Sequence, residues 1–236
     1  MKKKFLCLIL ARGNSTRLKN KNILNFYGKP LIYYTIKAAK DSKIFDKIIV
    51  STDNKKIAKI SKEFGAEVPF LRPKNLSTKY SNALDAVVHA LKYIKRKKNI
   101  YDYVQYIFPT NPLRDKSDIL KGYIEVKKNP SLDLVISVSK SKKCGFTINK
   151  LNKAKSLKNF VKKKYRLSNR QEFPNTYFID GSIYLGKWDV WYKKKDWFSV
   201  HSKAIITPDE KSVDIDDEFD FRLAKYKFKL LKNRIR

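Results

Sequence analysis

From Phe5 to Ala11 the chain reads FLCLILA, an unbroken apolar run of strand length, which predicts a strand covered on both faces. Arg12 ends it. The segment PLIYYTIKAAK then predicts a helix with Pro30 in its first turn. DKIIVSTD reads as a second buried strand ending in Ser51, Thr52 and Asp53, and NKKIAKISKEFG as an amphipathic helix closed by Gly65. AEVPFLRP predicts a short strand with Arg72 at its exit, followed by the helix SNALDAVVHALKYIKRKK with Ser81 as its cap. YDYVQYIFPTNPLRD is the next strand, broken at Pro109 and Pro112, with the helix KSDILKGYIEVKKN behind it and the strand LDLVISVSK after that. YFIDGSIYLGK and SKAIITP supply two more strands, and DEFDFRLAKYKFKLLK closes the chain as a helix. This alternation predicts an α/β fold, a doubly wound, mostly parallel sheet in a single domain over residues 1–236. Residues 140–172 break the pattern with sparse apolar positions and many lysines, and read as an inserted arm.

Composition narrows the class. Apolar residues make up 42% of the chain, enough for a sizeable core in 236 residues. No apolar run reaches the roughly 18 residues of a spanning helix. The opening KKKFLCLIL runs directly into Arg12 without a small-residue cleavage site, so it reads as a core strand rather than a signal peptide. Only Cys7 and Cys144 are present, which leaves no disulfide framework and no zinc spacing and fits a reducing cytoplasm. The net charge of +32, from 54 cations and 22 carboxylates, would ordinarily suggest nucleic acid. Its texture argues otherwise: ten cations are Arg, the other 44 are Lys, and they are spread over every segment instead of forming one stripe.

Two stretches carry chemistry. The loop ARGNSTRLKNKN follows the first strand, and in α/β sheets that carboxyl edge is where ligands bind. Its cations point to an anion, yet it has neither the glycine pattern of a dinucleotide fold nor the ending of a P-loop. A solvated lysine-rich loop is the competing reading. In SVDIDDEFD, Asp214 and Asp216 are two apart and share a face if the backbone is extended. Paired carboxylates suit a hard divalent cation such as Mg2+ bridged to substrate phosphates. Acidic residues also suit a helix start, the reading preferred for Asp217 and Glu218. The two histidines, His89 and His201, read as structural.

Six segments in register, LARGNSTRLKNKN, IIVSTD, FLRP, FPTNPLRD, DGSIY and SVDIDDEFD, resemble the acylneuraminate cytidylyltransferases, the synthetases of CMP-sialic acid and its bacterial nonulosonate relatives. The likeness spans about residues 4 to 225 and is weakest in the arm. It implies a nucleotide-diphospho-sugar transferase-like fold that uses CTP with Mg2+ to make a CMP-sugar and pyrophosphate. By that resemblance Leu10 and Ala11 lie beside the cytosine, and Arg12, Ser15, Lys21 and Asn22 reach the phosphates or nucleotide. Arg72 and Thr110 lie near nucleotide and sugar, and Asp214 and Asp216 hold the metal. Arg12 and Lys21, with the two aspartates, would act on the reacting phosphates. Arg17 receives no role.

The resemblance places the nine-carbon acidic sugar against Arg170, Gln171, Tyr177 and Asp180. A sugar carboxylate favours an arginine fork. Phe108 and Asp180 depart from the Gln and Asn of many sialic acid enzymes, which brings legionaminic and pseudaminic acids into consideration. The family also implies a homodimer joined through the arm, whose Phe146, Ile148, Leu151, Leu157, Phe160 and Val161 need cover. The rival readings are activation of another acidic sugar, such as 3-deoxy-manno-octulosonate, and a basic nucleic-acid-binding protein.

Overall fold

The computed structural model describes residues 2–143 and 145–234. Cys144 therefore lies outside the described residues. In chain order the strands and helices are β1 (Phe5–Leu10), a hairpin of β2 (Asn25–Phe26) and β3 (Lys29–Pro30), α1 (Leu31–Ser42), β4 (Lys47–Ser51) and α2 (Lys55–Glu63). There follow α3 (Ala83–Arg96), β5 (Tyr103–Ile107), α4 (Lys116–Lys128) and β6 (Leu134–Lys140). The chain closes with β7 (Tyr177–Lys187), α5 (Trp188–Tyr192), β8 (Ser202–Thr207) and α6 (Glu218–Arg234).

The main sheet runs β4-β1-β5-β7-β6-β8. Strand β1 is parallel to β4 and β5, and β6 is parallel to β8, whereas β7 is antiparallel to both of its neighbours. Every residue of β1 is buried, as its uninterrupted apolar run requires. Cys7 and Ile9 face a layer containing Ile32, Ile36 and Ile119 of α1 and α4, while Leu6, Leu8 and Leu10 face Val87 and Leu91 of α3 and Trp191 of α5.

A third cluster fixes the site. Phe26, Leu31, Val213, Ile215, Phe221 and Ala224 bury together, so the hairpin, the start of α1 and the start of α6 clamp the segment carrying the two aspartates. Complete burial of an Ile side chain contributes roughly 1.5–3 kcal/mol, which holds Val213 and Ile215 inward and turns Asp214 and Asp216 outward.

Several sequence expectations are corrected. AEVPFLRP forms no strand beyond a parallel bridge from Glu67 to Ile49, since Pro69 removes the donor that would extend the ladder. Asn82, not Ser81, caps α3 and accepts from the Leu84 amide at 2.9 Å. Ser81 instead donates to the Asn75 carbonyl at 2.9 Å and accepts from the Thr78 amide at 3.0 Å, folding the turn before the helix. Past the end of β6 the described residues of the arm region hold only single 3-10 turns, Gly145–Thr147, Lys163–Tyr165 and Arg170–Glu172. His89 packs edge-on to Phe70, and burial, then Arg72 and Arg96, lowers its pKa. His201 meets the Ser131 hydroxyl at 3.1 Å.

Candidate active site

A cleft of about 420 Å³ opens at the carboxyl edge of β1. Leu10, Arg12, Ser15, Lys21, Asn22, Arg72, Thr110, Asp180, Asp214 and Asp216 all line it, so ten of the sequence-predicted residues meet there. Ala11 does not: it is fully buried beneath the floor, and its amide bonds the Ser51 carbonyl at 3.0 Å. Gln171 and Tyr177 are exposed and stand outside the lining of the cleft, and the Arg170 side chain lies outside the described residues.

The loop after β1 is anchored at both ends and open between them. The Gly13 amide donates to Asp53 Oδ1 at 2.7 Å, and Asn22 Nδ2 donates to the Arg12 carbonyl at 2.8 Å. A side chain at position 13 would put its Cβ 2.7 Å from that of Asn54, the N-cap of α2, so this close approach needs glycine. The amides of Asn14, Ser15, Thr16 and Arg17 make no hydrogen bond among the described residues. Consecutive free amides beside cations form a concavity suited to a polyphosphate.

Arg12 Nη1 crosses to the Thr78 carbonyl at 2.6 Å and ties the loop to the opposite wall. That wall includes Leu76, Thr78, Lys79, Ser81 and Asn82, none of which the sequence reading placed in the site. Their only signal is a Ser/Thr/Asn-rich turn between Arg72 and a long helix. Arg72 is itself buried, and its Nε donates to Ser51 Oγ at 3.0 Å. Burial pulls its pKa down to about 10 against the opposing pull of Asp53.

Facing the loop, the Ile215 amide donates to the Thr110 carbonyl at 2.9 Å, and the Thr110 hydroxyl bonds Asp214. The alternation predicted for Val213 to Asp216 is present: the apolar residues point inward and both aspartates into the cleft. Asp214 is open to solvent on its cleft side but otherwise surrounded by protein. That desolvation raises its pKa; Thr110 opposes the shift, Asp216 adds to it, Lys21 opposes it, and Asp220 adds to it. Asp216 is engaged twice, with Oδ2 2.8 Å from Arg17 Nη2 and Oδ1 3.2 Å from Lys21 Nζ. Arg17, given no role from the sequence, is therefore part of the site. Asp217 caps α6 by accepting from the Asp220 amide at 3.0 Å, and Glu218 pairs with Arg222 at 3.1 Å, the helix-start roles expected of them.

Asp180, expected beside the sugar, is also held by its own protein. It borders the cleft, but one oxygen is held by the Ser137 hydroxyl and the Ser182 amide, and the other by Ser139 Oγ at 2.8 Å. These bonds bridge β6 and β7 where their register shifts between Ile136 and Val138. Phe108, Ile179 and Tyr184 give the cleft an apolar side, with Tyr184 stacked on Tyr106 at 4.6 Å and its pKa pushed up to about 12 by burial first.

Among the described residues no cluster of three or more His, Cys, Asp or Glu side chains is placed to hold a metal ion. Two carboxylates with an oxygen-bearing substrate opposite still fit Mg2+, which characteristically keeps waters and shares itself between one or two carboxylates and phosphates.

Residues 6–227 match the family model described as cytidylyltransferase. The chain is 34% identical over 230 residues to a pseudaminic acid cytidylyltransferase of Campylobacter jejuni subsp. jejuni, covering 96% of this chain and 97% of the relative. It is 33% identical over 224 residues to an N-acylneuraminate cytidylyltransferase of Escherichia coli, covering 95% of this chain and 52% of that longer relative. A solved CMP:2-keto-3-deoxy-manno-octonic acid synthetase complexed with CTP shares the fold, with a TM-score of 0.68, 15% identity and coverage of 98% of this chain and 99% of that one.

Proposed function

From the premise that this chain belongs to the cytidylyltransferase family, we propose that it activates a nonulosonic acid by transferring the cytidylyl group of CTP and releasing pyrophosphate. The observation that carries this reading is the juxtaposition of Ser15, Thr16 and Arg17, whose amides have no partner among the described residues, with Asp214 and Asp216 across one cleft. A polyphosphate needs donors on one side and a cation site on the other.

The sugar's anomeric hydroxyl oxygen attacks the α-phosphorus in line and gives up its proton to solvent water. A new P–O bond forms as the bond to the bridging oxygen of the β-phosphate breaks, and pyrophosphate departs with that electron pair. The free amides, Arg12 and Lys21 meet the charge that builds on the phosphoryl oxygens and leaving group. Asp214 and Asp216 would hold Mg2+, which would supply positive charge to neutralise the phosphates. The acceptor lies toward Phe108, Ile179 and Tyr184, the part of the cleft with apolar surface for a sugar carrying acyl or deoxy groups. The octulosonate alternative has only a likeness of fold behind it.

A cytoplasmic setting suits an enzyme that consumes CTP, and no helix among the described residues is long and apolar enough to cross a membrane. Exposed Ile148, Leu151 and Leu157 support a homodimer in which the arm is covered by a second subunit. The reaction is tested with CTP, Mg2+ and a panel of eight- and nine-carbon keto acids, read by product mass. A product equal to a nine-carbon acid plus a cytidylyl group supports the reading; conversion of the eight-carbon acid alone overturns it.

A further inference from the structure

Arg17 is the last residue of the open part of the phosphate loop. On one side, Gly13 is tied to Asp53; on the other, the Leu18 carbonyl accepts from the Lys21 amide at 3.2 Å. Between these anchors, the Arg17–Asp216 pair at 2.8 Å is the one polar contact among the described residues that holds the loop to the rest of the protein. The two cations at Asp216 differ in setting. Lys21 is only 12% exposed and keeps a second bond to the Ile215 carbonyl, whereas Arg17 is 65% exposed and has no other partner among the described residues. Arg17 is thus the replaceable member.

We propose that Arg17 is a positioning residue that guards Asp216 in the substrate-free protein, and that Asp216 gives it up on taking a divalent cation, freeing the loop to close on the nucleotide. This rests on the metal role assigned to Asp216 above. Guanidinium and metal compete for the same carboxylate, so each weakens the other's hold, and by linkage metal and nucleotide load together. An exposed ion pair is weak, so the competition is modest and easily reversed.

The test is direct Mn2+ binding by paramagnetic resonance, without nucleotide, for wild type, Arg17→Ala, Arg17→Lys and Asp216→Asn. Arg17→Ala should bind Mn2+ roughly twofold to fivefold more tightly, the range of an exposed ion pair, with Arg17→Lys between it and wild type. Asp216→Asn should bind more weakly than wild type. Unchanged or weaker binding by Arg17→Ala, with Asp216→Asn impaired, overturns the guarding role and leaves the metal assignment standing. Unchanged binding by Asp216→Asn overturns both. Unaltered melting temperatures of these exposed-site variants verify that the fold is intact.

Discussion

Lys21 Nζ donates to the carbonyl of Ile215 at 2.5 Å and sits 3.2 Å from the carboxylate of Asp216, so with Arg17 it joins the phosphate loop to the aspartate segment. The lysine is nearly enclosed, at 12% exposure. It therefore has two tasks, holding the cleft's shape and presenting a charge to the triphosphate.

Replacing Lys21 with Ala should lower turnover roughly a hundredfold or more, the usual loss for one electrostatic stabiliser of a transition state. Stability should fall by roughly 1–2 kcal/mol, the net contribution of one hydrogen bond and one half-exposed ion pair. Raising Mg2+ or substituting Mn2+ should not recover the activity. Steady-state kinetics with a metal titration, beside urea denaturation, separates the two tasks; full recovery by metal would place Lys21 in metal binding instead.

Asp214→Asn should remove activity yet stabilise the ligand-free protein. The raised pKa of Asp214 means that the fold favours its protonated form. The favourable contribution of that proton is present below the ordinary carboxylate value of 3.8 and is lost as pH rises through the raised folded value. At neutral pH the ionised group opposes folding, and an amide of the same shape does not. Calorimetry should show a higher melting temperature for Asp214→Asn at neutral pH, with the difference shrinking in acid. A lower melting temperature at neutral pH would contradict the electrostatic account.

Much of this site was legible before any coordinates. Val213 and Ile215 alternate with Asp214 and Asp216, and a period of two is enough to place both carboxylates on one side. The buried run of β1 likewise announces the loop that follows it. Periodicity is blind to direction, however, so the antiparallel run of β7 within a mostly parallel sheet was not readable. The partners of Asp180 are not readable from the sequence around it, because Ser137 and Ser139 lie on another strand. Nothing local marks Asp216 as the partner of Arg17 either, since folding brings it from the other end of the chain. The wall at residues 76–82 has the composition of any polar turn.

The arm offers a test of assembly. Leu151 and Leu157 are 57% and 70% exposed in the single chain, and apolar groups so placed on a polar arm call for a partner surface. Light scattering should give a dimer for wild type and a monomer for the double variant Leu151→Lys, Leu157→Lys. A wild-type monomer at assay concentration would contradict the homodimer.

The central claim is transfer of a cytidylyl group onto a nine-carbon acidic sugar within the cleft bounded by the phosphate loop and the aspartate pair. Phosphorus NMR of the complete reaction tests it most directly. Wild-type protein with CTP, Mg2+ and a nonulosonic acid should yield pyrophosphate and a CMP-sugar phosphodiester in equal amounts, and Asp214→Asn should yield neither. Pyrophosphate without the diester, no conversion of any nonulosonic acid, or full turnover by Asp214→Asn at limiting Mg2+ would contradict the account.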